Sequence, residues 1–218
     1  MRANANLAPI SKPHKIIKKD EFLTADMSNG YDAVAETFMR VRSPIIGCAT
    51  IQKWTAALPT GGTILDIGAG SGHPLTAALV DDGFDVYAID ASPKMVKALR
   101  QHLPNVKTAC ESAEQSDFFN RKFDGVMAVG LIFLLSEGSQ RKLIGSMADA
   151  VKAGGRLLFS SPRETGAWDD VLTGRRSLSL GVETYLRIIA KLGLDLKNQY
   201  VDEGGAHYYD VYKPKSHA

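Results

Sequence analysis

"ILDIGAGSGHPL", Ile64 to Leu75, decides how the rest of the chain is read. An apolar stretch carrying one acid, Asp66, runs into three glycines at every second position, and then into a histidine and a proline. A strand that empties into a glycine loop and continues as a helix opens an α/β unit, and such a loop holds a ligand at the strand's carboxyl end. The spacing is G-x-G-x-G. A dinucleotide site would need G-x-G-x-x-G, and that difference governs which ligand the loop can take.

Working outward, strands and helices alternate. "TILDI" is a strand, and "HPLTAALVDD" a helix with Pro74 suited to its first turn. "DVYAID" is a second strand leading into "SPKMVKALRQHL", where Ser92 is a good N-cap and Pro93 fits the first helical position. "NVKTAC" is a third strand, and "FDGVMAVGLIFLL" begins as a fourth. "SQRKLIGSMADAVKAGG" predicts a helix ending at glycine, followed by the strand "RLLFSS". "VETYLRIIAKLG" is the last helix, and "LDLKNQYVDEGGAHYYDVYK" reads as two strands joined at Gly204-Gly205. The predicted fold is α/β: a Rossmann-like, doubly wound sheet, mostly parallel, with helices on both faces. The C-terminal hairpin should add an antiparallel strand at or near one edge.

Upstream, "YDAVAETFMRVRSPIIGCATIQKWTAAL" has helical spacing interrupted at Pro44. Residues 1–27 differ in character, being polar with a knot of lysines in "SKPHKIIKKDEF". They are expected to form a flexible solvated arm, with a nucleic-acid arm or an active-site flap as the sharper alternatives. The expected organisation is therefore an arm over 1–27 and one domain over 28–218, of which 28–58 is a helical entry segment or lid.

The composition narrows the class. A chain of 218 residues with 44% hydrophobic and 23% charged residues suits one soluble globular domain. A net charge of +2 gives no argument for nucleic acid. Cys48 and Cys110 stand far apart without metal-ligand spacing, so neither a disulfide framework nor a metal site is expected. No apolar run approaches a membrane span and no signal segment opens the sequence, so the expected compartment is the cytoplasm and no membrane partner is expected.

Asp90 strengthens the glycine loop. It ends the second strand about 20 residues downstream, where a carboxylate can accept hydrogen bonds from both hydroxyls of a ribose. The plain alternative is a tight turn with a helix-capping aspartate. Loop and acid together point to an adenosine-containing ligand. His73 occupies the position of the third glycine of a dinucleotide fingerprint, and no Gly-Lys-Ser/Thr follows for a phosphate loop. Asp66 puts a carboxylate beside the loop, which suits a ligand bearing an ammonium and a sulfonium rather than a pyrophosphate. S-adenosylmethionine fits these requirements.

With these motifs in order, "LDIGAGSG", "VYAIDASPKMV", "FDGVMAVG" and "AGGRLLFSS", the chain from about Tyr31 onward resembles the class I S-adenosylmethionine-dependent methyltransferases of small-substrate type. The resemblance implies that Gly68, Ala69, Gly70 and Gly72 pass under the methionine part of the cofactor, with Asp66 supporting its charged end. It implies that Asp90 binds the ribose and that Ala91 and Met95 flank the adenine. Ser112, Ala113 and Glu114 fall where an acidic loop meets the adenine edge, with Ser112 in place of the usual aspartate. Carbonyls of Val129 and Gly130 would face the cofactor's amino group. "YDAVAETFMRVRS" resembles the family's entry helix, which implies that Tyr31 lies over the cofactor and Arg42 meets its carboxylate. S-adenosylhomocysteine would be the product.

A methyl displacement needs no base when the nucleophile is a thiol or free amine, whereas an oxygen or weakly acidic carbon needs a proton acceptor. Tyr31, Glu164, Trp168, His207 and Tyr209 are the catalytic candidates, with Arg163 and His73 as further possibilities. Each has an ordinary structural alternative: His207 as a satisfied strand histidine, Tyr31 as a core aromatic, Arg42 as a surface arginine. The expected acceptor is a small molecule, and the protein is expected to be a monomer or homodimer. An RNA or protein methyltransferase is the rival, resting on the basic arm and "TGRRS"; a non-catalytic cofactor-binding protein is a third possibility. "VGLIFL" stands where enzymes of this fold that methylate base amines carry N/D-P-P-Y/F/W, so nucleic acid is disfavoured.

Overall fold

The computed structural model describes residues 26–215. The lysine-rich arm expected over 1–27 lies outside the described residues as far as residue 25.

Two helices lead in, α1 (Tyr31–Val41) and α2 (Cys48–Thr55), parted at Pro44 as the spacing predicts. Alternation then begins: β1 (Thr63–Ile67), α3 (Leu75–Asp81), β2 (Asp85–Asp90), α4 (Pro93–His102), β3 (Lys107–Cys110) and β4 (Phe123–Ala128). There follow α5 (Glu137–Ala150), β5 (Val151–Ser160), β6 (Thr165–Asp169), β7 (Arg176–Leu180), α6 (Val182–Lys191), β8 (Asp195–Val201) and β9 (His207–Tyr212). Seven strands make one sheet in the order β3-β2-β1-β4-β5-β9-β8. β3 through β5 run parallel, while β9 is antiparallel to both β5 and β8. The order reverses direction between β1 and β4, so the switch point lies beside the glycine loop.

Successive residues of the central strands supply opposite faces, as a buried parallel sheet requires. Ile64, Val86, Ala88, Met127 and Leu158 pack with Ile51 and Trp54 of α2, Leu79 of α3 and Leu99 of α4. Leu65, Ile67, Val126, Leu157 and Phe159 pack on the other side with Ile144 and Met147 of α5 and Tyr185 and Ile189 of α6. Two layers of helix therefore sandwich the sheet, each with its own core.

Two local expectations are corrected. The helix expected to reach Gly155 ends at Ala150, and Val151 already pairs with Phe123 of β4. Gly154 and Gly155 belong to the sheet: the Gly154 N–H donates to the Lys213 carbonyl, and a Cβ at Gly155 would lie 2.6 Å from the Asp124 carbonyl. Backbone crowding, not helix capping, requires the glycine there. Pro74 is the residue before α3 rather than a member of its first turn. The polar stretch after β5 forms a separate two-stranded antiparallel hairpin, β6–β7.

Candidate active site

A cleft of about 250 Å³ opens at the carboxyl ends of β1, β2, β3 and β4. The glycine loop forms its floor. Gly68 has φ +75, and a Cβ there would sit 3.1 Å from Leu131 Cδ2, so the loop passes close beneath the chain leaving β4. The Gly68 and Ala69 N–H groups both donate to the Ile89 carbonyl, which fastens the loop to β2.

Asp90 completes that fastening. Its Oδ2 accepts the Gly70 N–H at 2.8 Å and its Oδ1 accepts the Ser92 N–H at 2.8 Å. Burial pushes its pKa up against the pull of these two donors. Each carboxylate oxygen keeps lone-pair capacity for a ligand hydroxyl. The capping role itself belongs to Ser92, whose hydroxyl accepts from the Met95 N–H.

Asp66 lies deeper. Its Oδ2 accepts from the Thr76 hydroxyl at 2.7 Å, and burial raises its pKa to about 7. Burial thus favours its neutral form more than in water, and a cation placed above it would favour the ionised form.

The upper wall comes from α1 and the turn before it. Met27, Ser28, Asn29, Tyr31, Phe38 and Arg42 all line the cleft, with Tyr31 edge-on to Phe38 at 5.5 Å between ring centroids. Asp32 holds α1 in place, because its Oδ1 accepts from the Ser92 hydroxyl at 2.7 Å and from the Lys94 N–H at 3.0 Å. Burial and then Asp170 raise the pKa of Tyr31, so its hydroxyl is a donor and not a base. The far wall, Leu131, Phe133, Leu134 and Leu135, is apolar.

The structure gathers Asp66, Gly68, Ala69, Gly70, Asp90, Ala91, Met95, Ser112, Ala113, Glu114, Val129 and Gly130 in this cleft with Tyr31 and Arg42. Gly72 does not line it; with φ +83 it faces α4, where a Cβ would lie 2.9 Å from Leu103 Cδ1. Its glycine answers helix packing.

The catalytic candidates separate. Glu164 and Arg163 are exposed and outside the cleft. His207 Nε2 pairs with Gln199 Oε1 at 2.9 Å, and burial, with Arg163 nearby, lowers its pKa. Tyr209 is core: it stacks on Phe159 at 4.8 Å, and burial raises its pKa. Trp168 stands behind the wall, 5.6 Å from the Phe133 ring. His73 does line the cleft. Phe38, Glu111, Ile89 and the Ser28–Asn29 turn were not singled out from sequence; only their nearness to flagged motifs would have found them.

The donor set fits an adenosyl sulfonium ligand. Asp90 offers free lone pairs, Asp66 places a buried carboxyl in the lining, and the hydroxyl of Ser112 is buried in the cleft with no hydrogen-bond partner among the described residues. A buried hydroxyl without a partner is costly, and a polar ligand edge would satisfy it.

Residues 64–155 match the family model described as a methyltransferase domain. The chain is 27% identical over 172 residues to a sarcosine/dimethylglycine N-methyltransferase of Aphanothece halophytica, covering 74% of this chain and 58% of that protein. It thus spans little more than half the length of that relative. Among solved structures, the CcbJ methyltransferase of Streptomyces caelestis superposes with a TM-score of 0.68 at 16% identity, covering 87% of this chain and 98% of that one. The glycopeptide N-methyltransferase MtfA, complexed with S-adenosyl-L-homocysteine, superposes with a TM-score of 0.64 at 18% identity, covering 84% and 98%. The chain therefore has the fold of these methyltransferase structures, and its residues 64–155 are similar to the methyltransferase-domain family.

Proposed function

We propose that this chain binds S-adenosylmethionine in the cleft and transfers its methyl group to a nucleophile on a small molecule, leaving S-adenosylhomocysteine. The observation that carries this is the Asp90–Gly70 pairing at the switch point: one carboxylate shapes the loop and still has capacity to accept from a ribose.

When bound, the cofactor supplies an electrophilic methyl on a sulfonium; the acceptor's lone pair forms the new bond while the carbon–sulfur electrons return to sulfur. The protein's part is to bind, align and exclude water. Asp66 ionises toward the ligand's ammonium, Arg42 stands at the same end for its carboxylate, and Ser112 meets the purine. Val129 and Gly130 present backbone at the turn out of β4, where the Gly130 N–H is fixed by the Ser160 hydroxyl at 2.8 Å. The Tyr31 ring favours positive charge beneath it. The apolar wall of Leu131, Phe133 and Leu134, backed by Trp168, keeps the reacting pair dry and close, which supplies most of the acceleration in a displacement of this kind.

Residues 28–58 act as the entry segment and lid of this site. The protein works in the cytoplasm as a monomer or homodimer on a small acceptor and not on nucleic acid. Among the described residues no helix is long and apolar enough to cross a membrane. Incubation with methyl-labelled cofactor and separate pools of thiols, amines, phenols, carboxylic acids and RNA tests the assignment. Label in a small-molecule pool supports it, and label in RNA alone rejects it.

A further inference from the structure

The two walls that close the cleft are tied to each other. At the tip of the β6–β7 hairpin, Asp170 divides its carboxylate between two tasks. Oδ1 builds the turn, accepting from the Leu172 and Thr173 N–H groups at 3.0 and 2.8 Å and from the Thr173 hydroxyl at 3.0 Å. Oδ2 reaches across 139 residues of sequence to accept from the Tyr31 hydroxyl at 3.0 Å. Beside it Arg175 donates to Asp26 at 2.8 Å, and Asp26 itself accepts the Ser28 and Gly30 N–H groups of the turn that leads into α1. The approach is close enough that a Cβ on Gly30 would lie 3.0 Å from Arg175 Nε. At its other end the hairpin is anchored to α5 through the Gln140 amide, which donates to the Leu178 carbonyl at 2.8 Å.

No hairpin residue lines the cleft itself. Its contribution is indirect: Trp168 backs Phe133 on the acceptor side, while Asp170 fixes the Tyr31 hydroxyl on the cofactor side. We infer that Asp170 is a positioning residue, and that the Tyr31–Asp170 bond with the Asp26–Arg175 pair forms a latch joining the cofactor seat to the acceptor wall. Filling the cofactor cleft then orders the hairpin, which the ligand does not touch, and so sets the acceptor wall. An exposed ion pair alone would do little of this. The Tyr31 hydroxyl is half-buried and bonded to a charged acceptor, and such a bond is about twice as strong as a neutral one. Coupling of this kind requires that both segments share one order–disorder equilibrium.

The inference rests on the cofactor assignment, so its test uses S-adenosylhomocysteine as probe and reads hydrogen exchange along the whole chain. In the wild type, saturating probe should slow exchange at the glycine loop, at 26–42 and, by about fivefold or more, at the hairpin over 165–180. Tyr31→Phe removes the hydroxyl but leaves the hairpin turn intact, and should abolish the hairpin's response while the glycine loop remains protected. Asp170→Ala should do the same. Asp170→Asn keeps an oxygen for the turn and a neutral amide for the tyrosine hydroxyl, and should restore part of the response that Asp170→Ala loses. A hairpin response that persists in both Tyr31→Phe and Asp170→Ala overturns the latch, as does a wild-type hairpin that ignores the probe while the glycine loop responds. Absence of any response at the wild-type glycine loop rejects the cofactor assignment and the latch with it.

Discussion

Asp90 Oδ2 stands 2.8 Å from the amide nitrogen of Gly70, so the acid at the end of β2 is bonded to the loop at the end of β1. One side chain thereby fastens the loop to β2 and, on the proposed function, also accepts from the ribose. Asp90→Ala removes the loop's anchor together with the ribose acceptors, worth on the order of 2–4 kcal/mol of cofactor binding. The dissociation constant for S-adenosylhomocysteine should rise by a factor of about 30 or more, read by calorimetry. A change below about threefold would leave Asp90 with only its loop and Ser92 contacts.

Asp66 gives the pH dependence. Its folded pKa is raised to about 7 from an ordinary 3.8, and a bound ammonium needs it ionised. Affinity for S-adenosylhomocysteine should be full above pH 7 and fall by up to tenfold per pH unit below it. The effect on stability has the opposite sign. The unfolded chain ionises this group near pH 3.8 while the folded chain holds its proton until about 7, so Asp66's contribution is lost as pH rises between those values. Asp66→Asn should therefore raise the melting temperature at pH 8, weaken the ligand, and flatten its pH profile between 6 and 8. A profile as steep in the variant as in the wild type would assign the titration to another group.

Trp168 packs against Phe133 of the apolar cleft wall and does not line the cleft itself. Trp168→Ala should lower turnover of an identified acceptor by about tenfold, chiefly through KM, with cofactor affinity changed less than threefold. Equal losses in both would make the residue a support of the hairpin fold alone.

Much of the fold was legible because the central strands are buried on both faces and read as apolar runs such as "TILDI" and "VYAID", each closed by a turn signal. The cleft floor was legible for a related reason: a strand, a glycine loop and Asp90 are local features at fixed spacing. Long-range partnerships were not. The β6–β7 hairpin reads as polar connection because four of the five residues in β6 face solvent, and it is held by Gln140, Tyr31 and Asp26 from distant parts of the chain. Asp32 carries no local signal and meets Ser92, 60 residues away. Gly72 shared the rhythm of its loop yet serves packing on Leu99 and Leu103, which no spacing rule distinguishes. Tyr209 and His207 lay near the right strand end, but alternation along β9 turns the Tyr209 ring into the α6-side core.

On the proposed function this glycine loop, with Asp66 below and Asp90 beside it, holds an adenosyl sulfonium cofactor and not a dinucleotide. Calorimetric titration of the full chain with S-adenosylhomocysteine and, separately, with NADH tests it most directly. Saturable heat with S-adenosylhomocysteine and none with NADH is the predicted result; heat with NADH and none with S-adenosylhomocysteine would contradict it.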